Sequence, residues 1–217
     1  MKKVLFISAL TIASVASISN AQSFEQYVSG KGAVRYGTYK VQSNEDNEEF
    51  KESKSVAGLR LAYGLVFPMG ENSLRAELEY GLNGTQKMDK TLDEGNVQLK
   101  NRMKSQSLMA NVYYDFNTGT RFTPYVGAGL GYAHLKNEVG IVDHEDNDNY
   151  SISKSKGNFA WNVSVGTSYK MDNNLSLDVS YRFTDYGKVK FNASENNISA
   201  TAKLRSNELN FGVRYQF

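Results

Sequence analysis

The sequence predicts an all-β chain, an eight-stranded antiparallel up-and-down transmembrane β-barrel. Three observations carry that prediction. The first residues read as an export leader, apolar and polar residues alternate with a period of two through most of the remaining chain, and short and long connections alternate strictly between the alternating runs.

In the leader, Lys2 and Lys3 form a positive start. Val4 to Ile18 form an apolar stretch broken only by small hydroxyl residues, and Ser19-Asn20-Ala21 offers small residues where a signal peptidase reads them. Cleavage after Ala21 is expected, making residues 1–21 a signal peptide and residues 22–217 one barrel domain. The apolar stretch is too short for a comfortable transmembrane helix, which needs about 20 residues. No later segment offers about 18 consecutive apolar residues.

Removing Lys2 and Lys3 leaves 23 Lys+Arg against 23 Asp+Glu. The exported chain is formally neutral, without the basic excess that nucleic-acid binding calls for. There is no cysteine, hence no disulfide framework and no thiolate metal site. Mean hydropathy is negative, but a transmembrane barrel alternates lipid-facing apolar residues with polar lumen residues, so the average conceals the pattern.

In chain order, residues 26–41 are the least regular run, since Val28, Val34 and Tyr36 share a face with two glycines. In 55–67, Ala57, Leu59, Leu61, Tyr63, Leu65 and Phe67 oppose Arg60, Ala62, Gly64 and Val66. In 73–82, Leu74, Ala76, Leu78, Tyr80 and Leu82 oppose Arg75, Glu77, Glu79 and Gly81. In 103–116, Leu108, Ala110, Val112, Tyr114 and Phe116 are set against Gln106, Met109, Asn111, Tyr113 and Asp115. In 122–135, Val126, Ala128, Leu130 and Tyr132 oppose Tyr125, Gly127, Gly129 and Gly131. The last three runs are the cleanest: Phe159 to Met171, Leu175 to Thr184, and Glu208 to Phe217, where Leu209, Phe211, Val213, Tyr215 and Phe217 share one face.

Three connections are short: Pro68 to Asn72, Asn117 to Arg121, and Asp172 to Asn174. Four are expected to be long polar loops, at about residues 42–54, 83–102, 136–157 and 187–202. That rhythm belongs to a barrel with tight periplasmic turns and long extracellular connections. The polar face carries Lys31, Arg35, Arg60, Arg75, Glu77, Glu79, Asp178, Arg182, Glu208 and Arg214. Parity alone does not say which face is inward. The leader, the aromatics crowding the strand ends and the mixed signs of the charges favour a lumen of paired charges inside a membrane wall. Eight strands enclose an interior about filled by side chains, so a hydrogen-bonded plug is expected rather than a wide channel.

Three segments carry a family resemblance. They are Thr123-Pro124-Tyr125-Val126-Gly127-Ala128-Gly129-Leu130-Gly131-Tyr132, Leu175-Ser176-Leu177-Asp178-Val179-Ser180-Tyr181-Arg182-Phe183, and Glu208-Leu209-Asn210-Phe211-Gly212-Val213-Arg214-Tyr215-Gln216-Phe217. Together they resemble the outer-membrane β-barrel family of opacity-type adhesins and OmpA-like small barrels, over about residues 122–217 well and over the first strands weakly. The resemblance implies a bacterial outer-membrane surface protein, adhesive or envelope-stabilising, in contact with outer-membrane lipid and lipopolysaccharide and with host surface molecules. The terminal aromatics Tyr215 and Phe217 look like the signal read by the barrel-assembly machinery. With the sequence ending at Phe217, the peptidoglycan-binding domain of some OmpA-like proteins is not expected.

No cofactor and no enzymatic activity is expected. Gly127, Gly129 and Gly131 are two apart on one strand with no helix after them, which suits room in a narrow lumen beside Tyr125 and not a dinucleotide loop. His144 lies among Asp143, Glu145, Asp146 and Asp148, a spacing that does not match an EF-hand and reads as a solvated acidic loop. His134 stands at a strand end, with Ser151 and Ser153 as the hydroxyls that the fold could bring near. A lipid-modifying enzyme would need such a serine at hydrogen-bond distance. A narrow porin-like channel is the runner-up reading.

Overall fold

The computed structural model describes residues 24–43, 49–92, 97–143, 149–193 and 198–217. The expected leader, residues 1–21, and His144 to Asp148 lie outside them. Eight strands run β1 (Glu25–Ser43), β2 (Glu49–Met69), β3 (Asn72–Leu92), β4 (Val97–Asp115), β5 (Phe122–Asp143), β6 (Asn149–Lys170), β7 (Leu175–Ala193) and β8 (Ile198–Gln216). Each pairs antiparallel with the next, and β1 pairs with β8 to close the barrel. Through the level where β2 still pairs with β3 (to Gly58/Asn83) and β6 with β7 (to Trp161/Asp185), closure leaves no unpaired edge, as a strand structure in lipid requires.

The alternation predicted from sequence becomes two walls. Outward positions such as Leu61, Leu78, Val112, Val165 and Phe211 are exposed, while Arg60, Glu79, Tyr113, Asn162 and Glu208 on the same strands are buried. Gln106 is a correction. It shares parity with Leu108 and lies outside, where it accepts a hydrogen bond from the Tyr80 hydroxyl at 3.2 Å. Tyr181 similarly donates to Asn207 at 2.6 Å. Near the short turns, Tyr63 donates to Gln26 at 2.6 Å and the Tyr114 hydroxyl accepts from Asn72 at 3.0 Å. Two belts of tyrosine hydroxyls thus bracket the apolar band, as amphipathic rings do at the two surfaces of a membrane.

The four long connections are the second correction. Most residues expected in loops continue the strands, so that β1 runs to Ser43, β3 to Leu92, β5 to Asp143 and β7 to Ala193. A tilted strand needs about 9–11 residues to cross the hydrocarbon. Strands of 19 to 22 residues therefore reach far beyond it as β-hairpins. Those hairpins have lost the apolar face that marks a half-buried strand, while their backbone pairing continues.

The opposite end is tight. Gly70 turns between β2 and β3 with φ of 66°, a conformation that costs a residue with a Cβ. Between β6 and β7 the Asp172 carboxylate accepts from the backbone N–H of Asn174 and of Leu175, each at 2.8 Å. These bonds hold its carboxyl below the usual range, an Asx-type turn. Near the other end of β7 a register shift between Asp185 and Lys188, with Gly187 at φ of 78°, leaves the consecutive residues Asp185 and Tyr186 both buried.

Candidate functional site

The lumen gathers all ten charges singled out from the sequence, each of them buried. Nearest the short turns, Arg75 makes a two-pronged contact with Asp115, Nε to Oδ2 at 2.7 Å and Nη2 to Oδ1 at 2.9 Å. Its guanidinium lies 4.7 Å from the ring centroids of both Tyr113 and Tyr125. Across the same level Arg214 approaches Asp178 at 3.7 Å and donates to Ser168 at 2.8 Å, while Ser168 donates to Asp178 at 2.6 Å.

The middle layer is held by two carboxylates of β3. Lys31 lies 3.0 Å from Glu77 and 3.3 Å from Glu79. Glu77 also accepts from the Tyr27 hydroxyl at 2.9 Å and the Tyr113 hydroxyl at 3.1 Å. Glu79 faces Arg182 of β7, whose Nη2 donates at 3.0 Å and whose Nη1 makes a second bond. In a barrel of eight strands, β3 and β7 stand opposite one another, so this ion pair bridges the full width of the lumen.

Above it, Glu208 collects Arg60 at 2.9 Å, Tyr186 at 3.1 Å and Ser206 at 3.2 Å. Arg35 has a different setting: it donates to Ser105 at 3.1 Å and lies 4.7 Å from the Tyr186 ring. Charges in a low-dielectric interior are tolerated when paired and hydrogen-bonded, and most of these are. The pairing obstructs the passage, since bridges that cross the lumen occupy it.

Glycines make this filling possible. A Cβ at Gly64 would meet the Tyr27 ring, one at Gly127 the Tyr113 ring, and one at Gly166 the Tyr125 ring. The expected place beside Tyr125 is therefore taken by Gly166, and Gly127 accommodates Tyr113 instead. The tyrosines Tyr27, Tyr113, Tyr125 and Tyr186, together with Asp115, complete the network and were not singled out as site residues. Their inward parity was a legible signal for all but Tyr186, which follows the register shift.

His134 is exposed on the outer wall, opposite Gly157 in register. Ser153 pairs with Glu138, four residues further along, roughly 13 Å away at about 3.3 Å per residue. That separation is far outside hydrogen-bond reach. No group of three or more potential metal-ligating side chains occurs among the described residues. Tyr215 and Phe217 are exposed at the short-turn rim, ring centroids 6.5 Å apart, and the Phe217 N–H donates to the Gln26 carbonyl at 2.9 Å.

Comparison with known proteins extends this picture. The chain is similar to outer membrane protein PagN of Salmonella typhimurium, 35% identical over 133 residues that cover 58% of this chain and 55% of PagN. It is similar to a putative adhesin of Rickettsia conorii, 29% identical over 165 residues, covering 73% of this chain and 63% of that one. The chain thus spans less than two thirds of the length of these two relatives. The crystal structure of Neisserial surface protein A shares the fold, with a TM-score of 0.54 at 24% identity, covering 90% of this chain and 100% of that one. The model of the outer membrane protein beta-barrel domain matches residues 5–217, so this chain belongs to that family and is an integral protein of the bacterial outer membrane.

Proposed function

We propose that this protein is a non-enzymatic surface adhesin, in which a plugged barrel anchors four β-hairpins that contact host or environmental surface molecules. The observation that carries the reading is the division of labour along each strand. The membrane half encloses a lumen filled by ion pairs such as Arg182–Glu79, and the other half continues as paired backbone far past the tyrosine belt. Connections beyond a rigid scaffold are where recognition usually resides. The putative adhesin among the relatives supports this reading. Tyr215 and Phe217 serve as the signal for the assembly machinery, a reading supported by their paired, outward position at the short-turn rim.

The test is to shorten all four hairpins to just beyond the belt and to count bacteria bound to epithelial cells. Adherence should fall to the level of non-expressing bacteria while the barrel keeps its heat-dependent shift on SDS gels. Undiminished adherence of the trimmed protein would overturn the proposal.

A narrow pore is the second reading. It is favoured by buried polar atoms of the lumen that have no protein partner, among them Ser29 Oγ, Ser164 Oγ and both side-chain polar atoms of Asn210. Such groups call for water. Reproducible conductance steps from the folded chain in a planar bilayer would favour the pore, and silence would favour the plug.

A further inference from the structure

Of the lumen cations, Lys31, Arg60, Arg75, Arg182 and Arg214 each meet a carboxylate. Arg35 meets none among the described residues. It is 3% exposed, and its guanidinium makes one hydrogen bond there, from Nη1 to Ser105 Oγ at 3.1 Å. Its Nε is buried without an acceptor. A guanidinium offers only donors, and burying one is costly unless an anion or other acceptors meet it.

The acid opposite it in register is already engaged. Glu208 accepts from Arg60 through Oε2 and from Tyr186 and Ser206 through Oε1. The edge that Arg35 leaves open is the one between Nε and Nη2. Arg75 uses that same edge to hold both carboxylate oxygens of Asp115.

The surroundings add two conditions. The Tyr186 ring, its centroid 4.7 Å from the Arg35 guanidinium carbon, belongs to a buried apolar cluster with Met109, Ala133, Leu135 and Ala160. Opposite charges attract strongly in so apolar a setting. The wall also opens at this level, since Arg35 pairs with Val56 just beyond Gly58, where β2 and β3 cease to pair among the described residues.

We infer that Arg35 binds the carboxylate group of a small monocarboxylate that enters the lumen from the hairpin end. Two parallel N–H donors fit the two oxygens of a carboxylate. The apolar cluster suits a short alkyl tail, and a lumen of eight strands has room for little more. The inference is independent of adhesion and of conduction. Arg35 follows Lys31 along β1 toward the hairpin end, so a solute held there lies outside the layer in which Lys31 and Arg182 share Glu79.

The test is a titration of the exported chain, refolded in detergent micelles at neutral pH, with acetate replacing fluoride at constant ionic strength. The arginine Nε–H signals are followed by NMR, and the Arg35 signal is identified by its loss in Arg35→Gln. That signal should shift saturably, while the signals of Arg75 and Arg182, whose carboxylates are in place, should stay where they are. Acetate should also raise the melting midpoint of the native chain and leave that of Arg35→Gln unchanged. Without acetate, Arg35→Gln should melt no lower than the native chain, whereas Arg60→Gln, which breaks an ion pair, should melt well below it. An unmoved Arg35 signal, or equal movement of all the arginines, would overturn the inference. So would an equal saturable shift from chloride, which would make the site one for any small anion. A large fall in melting for Arg35→Gln without acetate would overturn it as well, because the protein itself would then supply the missing partner.

Discussion

Leu78 and Glu79 are consecutive in β3 and belong to different solvents. Leu78 is 55% exposed on the lipid side, whereas Glu79 is wholly buried between Lys31 and Arg182. On the outer wall each side chain meets fluid hydrocarbon, so the requirement is chemical and nearly position-independent. In the lumen each side chain meets a particular partner, so the requirement is geometric. One wall therefore tolerates exchange among apolar residues, and the other tolerates almost none.

The largest break in that contrast is Glu79→Gln, which leaves Arg182 and part of Lys31 uncompensated in the interior. Removing one partner of a buried pair costs about 3–5 kcal/mol, to be read as loss of stability in urea unfolding from lipid vesicles. Adding Arg182→Gln should recover much of it, because Lys31 keeps Glu77 at 3.0 Å. A double variant as unstable as the single one would argue that the bridge is not the source of the cost.

Leu78→Arg attacks the other wall near the middle of its apolar run. A cation at the bilayer midplane costs about 2–4 kcal/mol in such barrels, whereas Leu78→Val should be nearly silent in the same unfolding measurement. Gly127→Ala comes next. Its Cβ would collide with the Tyr113 ring that supports Glu77, and overpacking costs about 1–3 kcal/mol. Its partner test, Gly127→Ala with Tyr113→Phe, should not restore stability, since the collision is with the ring and not the hydroxyl.

The smallest effect lies at the short-turn rim. The Asp172 carboxyl is held below its ordinary value of 3.8 by two backbone N–H donors. A depressed folded value adds stability above the unfolded value and loses it as pH falls through the folded one. The stabilities of the native chain and Asp172→Ala should therefore differ at neutral pH and draw together only as pH falls below about 3.8, through the lowered folded value. A difference that persists there would assign the residue a role other than accepting those bonds.

The contrast between the walls also explains what was legible in the sequence. Parity separated Leu209, Phe211 and Val213 from Glu208, Asn210 and Arg214 without error, because the lipid face reports its chemistry residue by residue. The hairpin portions of β3 and β5 were not legible as strands. Beyond the belt, outward positions such as Lys104 and Lys136 are as polar as inward ones, and alternation vanishes while the backbone stays paired. The lumen partners were legible as a set and not as pairs. Which carboxylate Arg182 meets depends on the curvature that brings β7 across from β3, and no local pattern encodes that distance.

The bridge between Arg60 and Glu208 joins β2 to β8 over β1, and thus straddles the seam where the first and last strands meet. A sheet that has not yet closed holds these ions apart, with nothing to offset their desolvation. The final zip of β8 onto β1 therefore completes the wall and neutralises the interior in one event. Opening the seam must undo both together. The plug in this way acts as a latch, making disassembly all-or-none and confining half-formed sheets to short lives in the membrane.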